Sequence, residues 1–172
     1  MQFKQITPHV PEERRADEAA FTYAERLARE KALAALELAH PDDIVIGCDT
    51  IVVLGEIVFE KPTSEDDAFR ILTALSGKSH TVCSAIAIAA TGAVQASGYD
   101  LTRVFFNPLE TSRIRDYIRS GEPMDKAGAY GIQGMWGFLV DRIEGNLDTV
   151  VGLPRQLLER LAGEVLYCLR GR

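Results

Sequence analysis

The stretch from Asp43 to Pro62, Asp-Ile-Val-Ile-Gly-Cys-Asp-Thr-Ile-Val-Val-Leu-Gly-Glu-Ile-Val-Phe-Glu-Lys-Pro, constrains this chain more than any other. Ile44, Val45 and Ile46 form an unbroken β-branched run, the pattern of a central strand buried on both faces. Gly47 to Thr50 interrupts the run and Ile51 to Leu54 resumes it. Gly55-Glu56 then turns the chain into Ile57–Phe59, and Lys61-Pro62 ends that strand. The carboxylate of Asp49 therefore stands at the end of a fully apolar strand. Ligands of open α/β sheets bind at that position. Asp49 reads equally as a turn-former bonding nearby backbone amides, and spacing alone does not separate the two readings.

The flanking sequence supplies helices. Asp17 to His40 reads as one helix, with Asp17 or Glu18 in an acidic first turn and Phe21, Ala24, Leu27, Ala28 and Lys31 on one face. Pro41 ends it. Ser64 caps a second helix to about Leu75, with Asp67 placed to complete a weak capping box. Thr81–Ala90 is a strand, turned by Thr91-Gly92 into Val94–Tyr99, and Leu101–Phe106 is another. A third helix runs from Thr111 or Ser112 to about Arg119. Trp136–Ile143 is a strand, Thr149–Val151 a short extended piece, and Pro154 opens a final helix to about Leu169. Phe3 and Ile6 offer a short first strand, stopped by Pro8 and Pro11. This order of helices and strands favours an α/β or α+β domain with a mixed sheet.

Composition narrows the function. The 172 residues carry 25 acidic and 19 Lys/Arg side chains, a net charge of −6, which disfavours binding along a nucleic-acid polymer but not a small anion in a local basic pocket. No apolar run approaches the ~18 residues that span a bilayer, and the first residues show no apolar signal segment. Cys48, Cys83 and Cys168 are three without a Cys-x-x-Cys spacing, so a reducing cytoplasm is the expected home. The Gly-rich fingerprints of P-loop and Rossmann proteins are absent. His9, His40 and His80 share no metal-ligand spacing and read as surface or strand-end residues.

The remaining candidates are single residues and one loop. Lys61 and Lys126 each place an ammonium beside a turn, where it suits a phosphate oxygen or is simply solvated. Glu12 and Glu13 lie in a Pro-bounded loop, where a carboxylate suits a hard cation such as magnesium or is likewise solvated. Asp125 to Gly134 holds Gly128, Gly131 and Gly134 around Gln133. Glycines let a ligand approach the backbone, and the amide both donates and accepts, as pairing with a nucleobase edge requires. A Gly-rich turn between helix and strand is the alternative.

Several blocks together are more specific. Cys48-Asp49-Thr50-Ile51-Val52, Glu60-Lys61-Pro62, Leu75 to Val82 (Leu-Ser-Gly-Lys-Ser-His-Thr-Val), Gly121-Glu122-Pro123, Asp125 to Gly134 and Val150 to Pro154 resemble, in order, those of the Maf family of nucleoside triphosphate pyrophosphatases. Glu12 and Arg29-Glu30-Lys31-Ala32 fit its N-terminal helix region. The resemblance implies an elongated α/β fold, a mixed sheet flanked by helices, related to the inosine triphosphate pyrophosphatases. It implies one such domain over residues 1–172. It also implies cytoplasmic hydrolysis of a nucleoside triphosphate to its monophosphate and pyrophosphate with a divalent metal, magnesium or manganese, and leaves a homodimer open. The Gly-Ala-Tyr-Gly-Ile-Gln-Gly version resembles the subgroup acting on dTTP and UTP rather than on methylated GTP. Asp49 matches the general base, and Thr50 and Gln133 match positions linked to base selection. Glu12, Lys31, Lys61 and Lys126 match polar residues lining the site, with the lysines assigned to substrate and Glu12 and Asp49 to the metal. The family's first strand and Ser-x-Ser-Pro-Arg-Arg loop have no counterpart before Gln2-Phe3, so the chain is expected to start after them. A broader house-cleaning hydrolase of modified nucleotides, or a nucleotide-binding regulator of septum formation, are the competing readings.

Overall fold

The computed structural model describes residues 3–133 and 137–170, with side chains in the last helix described to residue 167. The described residues form five α-helices, α1 (Ala20–Leu36), α2 (Glu65–Leu75), α3 (Thr111–Arg119), α4 (Leu147–Val151) and α5 (Arg155–Arg170), and five strands. The strands are β1 (Val45–Leu54), β2 (Ile57–Phe59), β3 (Ser79–Ala90), β4 (Ala93–Phe106) and β5 (Val140–Glu144). The strands form one sheet in the order β2-β1-β3-β4-β5, flanked by helices, which is the α/β class expected from sequence. β2 pairs antiparallel with β1, with Val52 opposite Phe59, and β5 pairs antiparallel with β4, with Val104 opposite Ile143. Among the described residues no helix is long and apolar enough to cross a membrane.

The chain divides into two compact units. Unit 1 comprises Met1–Asp49, Ser84–Asp100 and Leu153–Arg172, and unit 2 comprises Thr50–Cys83 and Leu101–Gly152. In unit 1, α5 lays Leu157, Leu161 and Val165 on Ile86 and Ile88 of β3. The small face of α1, Ala24, Ala28 and Ala32, is fully buried. In unit 2, Ala68, Ile71, Leu72 and Leu75 of α2 join Ile114, Tyr117 and Ile118 of α3 over Val52, Val82, Val104 and Phe106. That spacing, three and four residues apart on each helix, is why both helices form there: each buries one stripe.

Local signals are kept where the chain leaves the bonding to neighbours. Ser64 Oγ accepts from the Asp67 backbone N–H at 3.1 Å, as a cap should; the Asp67 carboxylate, however, accepts from the Thr63 N–H, one residue before the cap. Other expectations are corrected by longer-range contacts. β1 is one strand, with no break at Gly47–Thr50, because its edges are taken up in the sheet. Ile44 and Ile46 are exposed, so the first half of β1 is buried on one face only. Val94–Tyr99 and Leu101–Phe106 are one strand, β4. Thr149–Val151 is helical, within α4. The residues before β5 form a tight 3-10 turn, Gly137–Leu139, rather than strand, and Trp136 lies outside the described residues. No strand forms at Phe3–Ile6. α1 starts at Ala20 because Asp17 takes a left-handed backbone, φ 60°, and its end at Leu36 leaves Glu37 to His40 outside the helix. His80 lies at the start of β3, a strand-end position as expected, but it is buried rather than at the surface. Its Nε2 lies 2.7 Å from Tyr130 Oη, and its ring meets Phe106 and Tyr130 edge to face.

Candidate active site

Residue 47 sets up the unit 1 cluster. A Cβ on Gly47 would lie 2.3 Å from the Ala28 carbonyl oxygen and 2.6 Å from the Ala32 nitrogen, so only glycine lets α1 lie this close to β1. Side chains alternate along a strand, so Asp49 points to the same face as Gly47. Lys31, one residue before Ala32, meets it there. Lys31 Nζ lies 2.6 Å from Asp49 Oδ1 and 2.6 Å from Glu12 Oε1. The Asp49 side chain is 6% exposed, Lys31 21% and Glu12 40%, so the cluster opens to solvent on the Glu12 side. Burial acts to lower the Lys31 pKa, but the charges and hydrogen bonds of Asp49 and Glu12 outweigh it. The ammonium is held above its ordinary range and stays charged. Burial, reinforced by the charge of Asp49, pushes the neighbouring Cys48 thiol up to about 11, so it is no thiolate at neutral pH.

The backbone next to Glu12 is held by a residue that sequence reasoning passed over. Arg26 Nη2 donates to the Glu13 carbonyl oxygen at 2.9 Å, while the rest of its guanidinium pairs with Glu18 at 2.7 Å and Glu30 at 3.0 Å. Glu18, expected to serve the first turn of α1, is instead this arginine's partner, and the hydrogen bond from Arg26 lowers its pKa to about 2. The Arg26–Glu30 spacing of four on a helix was the available signal.

The other candidates lie in unit 2. Thr50 follows Asp49 directly and so faces the opposite side of β1. It sits at the α4 C-terminus, where a Cβ on Gly152 would come 3.2 Å from Thr50 Oγ1. Lys61 is exposed. Its turn joins the Gly-rich loop through Gly128 N–H to the Glu60 carbonyl, 3.0 Å. Lys126 Nζ donates to the Glu122 carbonyl at 2.8 Å and to Asp125 Oδ1 at 2.7 Å. The hydrogen bond from Lys126 holds the Asp125 carboxyl below its usual range. Gln133 is exposed on a bend. Gly128 is required by packing: φ is 71° and a Cβ would lie 2.6 Å from Val52 Cγ2. The loop is anchored by a second residue that sequence reasoning missed. Tyr117 Oη on α3 accepts from the Gly131 N–H at 2.9 Å. Gly134 lies outside the described residues.

A carboxylate held on a buried strand face beside a permanent cation, with a second carboxylate at the solvent edge, can take a proton from water and share a hard cation. Among the described residues no three His, Cys, Asp or Glu side chains are grouped to cage a metal. Two carboxylates converging on one ammonium nevertheless fit a magnesium-type ion that takes its remaining oxygens from water and substrate phosphates.

A family model described as Maf-like protein matches residues 1–165. A dTTP/UTP pyrophosphatase of Vibrio parahaemolyticus is 46% identical over 164 residues, covering 95% of this chain and 86% of that protein. Proteins of the same name from Shewanella denitrificans and Photorhabdus laumondii are 48% and 47% identical, covering 89% and 88% of this chain and 78% and 77% of their own lengths. By a family match over nearly its whole length and by near-half identity to these relatives, the chain belongs to the Maf-like protein family.

Proposed function

We propose that this chain hydrolyses nucleoside triphosphates, dTTP and UTP first among them, to the monophosphate and pyrophosphate, with residues 1–172 acting as one enzyme of the cytoplasmic nucleotide pool. The observation that carries the chemistry is the buried Asp49 carboxylate, 2.6 Å from Lys31 and facing α1 with Glu12 on the same ammonium. The names of the relatives carry the substrate. In this reading Asp49 orients a water toward the α-phosphorus and takes its proton as the new P–O bond forms. The bond from the α-phosphorus to its bridging oxygen then breaks and pyrophosphate leaves. Glu12 and Asp49 would hold a divalent cation, which supplies charge neutralisation at the phosphates when bound. Lys61 and Lys126 bind phosphate oxygens and offset the charge of the leaving pyrophosphate. Thr50 and Gln133 select the base. The Gln133 amide offers a donor and an acceptor to the O4 and N3–H edge of uracil or thymine; cytosine presents the reverse order, and guanine, with the same order at O6 and N1–H, differs by its second ring and 2-amino group.

The test is kcat/KM for dTTP, UTP, CTP and GTP with magnesium or manganese, measured by pyrophosphate release. Once a bound base covers the Gln133 amide, mispairing it costs about 1–3 kcal/mol, up to roughly 100-fold in discrimination. UTP and dTTP are expected to lead by that order, and Gln133→Ala to narrow the gap. Equal efficiencies for UTP and GTP would refute the pyrimidine assignment and leave the broader house-cleaning hydrolase. Tight nucleotide binding without any release would leave the regulator.

A further inference from the structure

Lys31 occupies the place a cation would take. Its ammonium is bonded at 2.6 Å to one oxygen of Glu12 and at 2.6 Å to one oxygen of Asp49. Two carboxylates and one ammonium leave one negative charge uncompensated. A divalent ion added beside Lys31 would reverse that sign and face the ammonium at close range, and the two cations would compete for the same oxygens. A divalent ion in place of Lys31 would balance the two carboxylates.

The supports decide which partner yields. Asp49 is fixed within β1, whose Gly47 is locked against α1. The backbone beside Glu12 is pinned by Arg26 through the Glu13 carbonyl at 2.9 Å. Lys31 alone carries its charge on a flexible four-carbon stem. We propose that Lys31 is a displaceable counter-cation: without metal it holds Glu12 and Asp49 together, and a divalent ion entering between them expels its ammonium, which is then free for an arriving phosphate. This rests on the reading of Glu12 and Asp49 as the metal-binding pair. It makes the metal-free protein a self-occupied, resting form.

The experiment measures manganese binding without nucleotide, by water-proton relaxation, in the unmutated protein and in Lys31→Met. Removal of the competitor is expected to tighten manganese binding at least tenfold. Equal or weaker binding in the variant, or none in either protein, would overturn the proposal. A second readout needs no variant. Acylation of Lys31 by an N-hydroxysuccinimide ester, followed by peptide mass spectrometry, is expected to rise several-fold when manganese saturates the unmutated protein. Unchanged labelling would also overturn it. Pyrophosphate release from UTP by the unmutated protein is assayed alongside. Release with no gain in manganese affinity for Lys31→Met defeats the displacement alone, whereas absence of release defeats the enzymatic reading.

Discussion

Asp49 gains its chemical character from two neighbours that lie far from it in sequence, Lys31 on α1 and Glu12 in the N-terminal coil. A carboxylate this buried is costly unless paired, and the lysine supplies the pairing charge. Asn at this position keeps the shape and a hydrogen-bonding oxygen but neither the charge nor the capacity to accept a proton. Asp49→Asn is therefore expected to lower turnover of UTP by ~10²–10⁴-fold, with the far-ultraviolet circular dichroism of the parent retained. Turnover within about threefold of the parent, measured by pyrophosphate release, would remove Asp49 from the mechanism. Cys48, one residue earlier, has its thiol pushed up to about 11, and it has no comparable part as a nucleophile.

The contact of α1 with β1 is the element on which this cluster depends. Ala28 and Ala32 give α1 a flat side, and Gly47 removes the one Cβ that would hold the helix off the strand. Gly47→Ala places a methyl carbon 2.8 Å from the Ala32 Cβ and closer still to two backbone atoms, none of which can turn aside. Overpacking of this kind costs about 1–3 kcal/mol. The variant is expected to unfold at lower urea by that amount and to lose turnover as Lys31 is carried away from Asp49. Gly163 on α5 provides the contrast. A Cβ there meets nothing within 4 Å, so Gly163→Ala is expected to be neutral or slightly stabilising through helix propensity. Equal destabilisation by the two substitutions would show that the close approach at Gly47 is not what holds α1 in place.

At the scale of the whole molecule, a buried histidine and a part-buried ion pair make stability fall with acid. Burial lowers the His80 pKa from 6.5 to about 4. Its folded form stays neutral while the unfolded chain takes up a proton, so its contribution is complete above about pH 6.5 and is lost progressively toward pH 4. A shift of this size corresponds to about 3 kcal/mol. Glu18, lowered to about 2 by Arg26, contributes above its ordinary value of 4.5 and loses that contribution below it. Urea unfolding at pH 7, 5.5 and 4 is expected to show a decline that begins with His80 and continues with Glu18. His80→Phe keeps an aromatic ring against Phe106 and Tyr130 and is expected to flatten the segment between pH 6.5 and 4. An unchanged slope in that variant would assign the acid sensitivity to other groups.

By itself the sequence determined what depends on a few neighbouring residues. The Ser64 cap starts α2, the apolar runs make β1 and β3 strands, and helical spacing gives α2 and α3 each one buried stripe. The ordered blocks around Asp49, Lys61 and Lys126 also carried the family, because the chain keeps them at fixed separations. Tertiary structure alone decided the rest, since it turns on partners distant in sequence. Gly47–Thr50 looks like a break in isolation, because glycine and aspartate are poor strand formers. Sheet pairing and the close passage of α1 make it the middle of β1. His80 reads as a surface or strand-end residue until Tyr130, fifty residues on, becomes its hydrogen-bond partner inside the core. Lys31 and Asp49 are each ordinary in their own segments. Their 2.6 Å contact, across eighteen residues of sequence, exists because a missing side chain lets α1 and β1 come together.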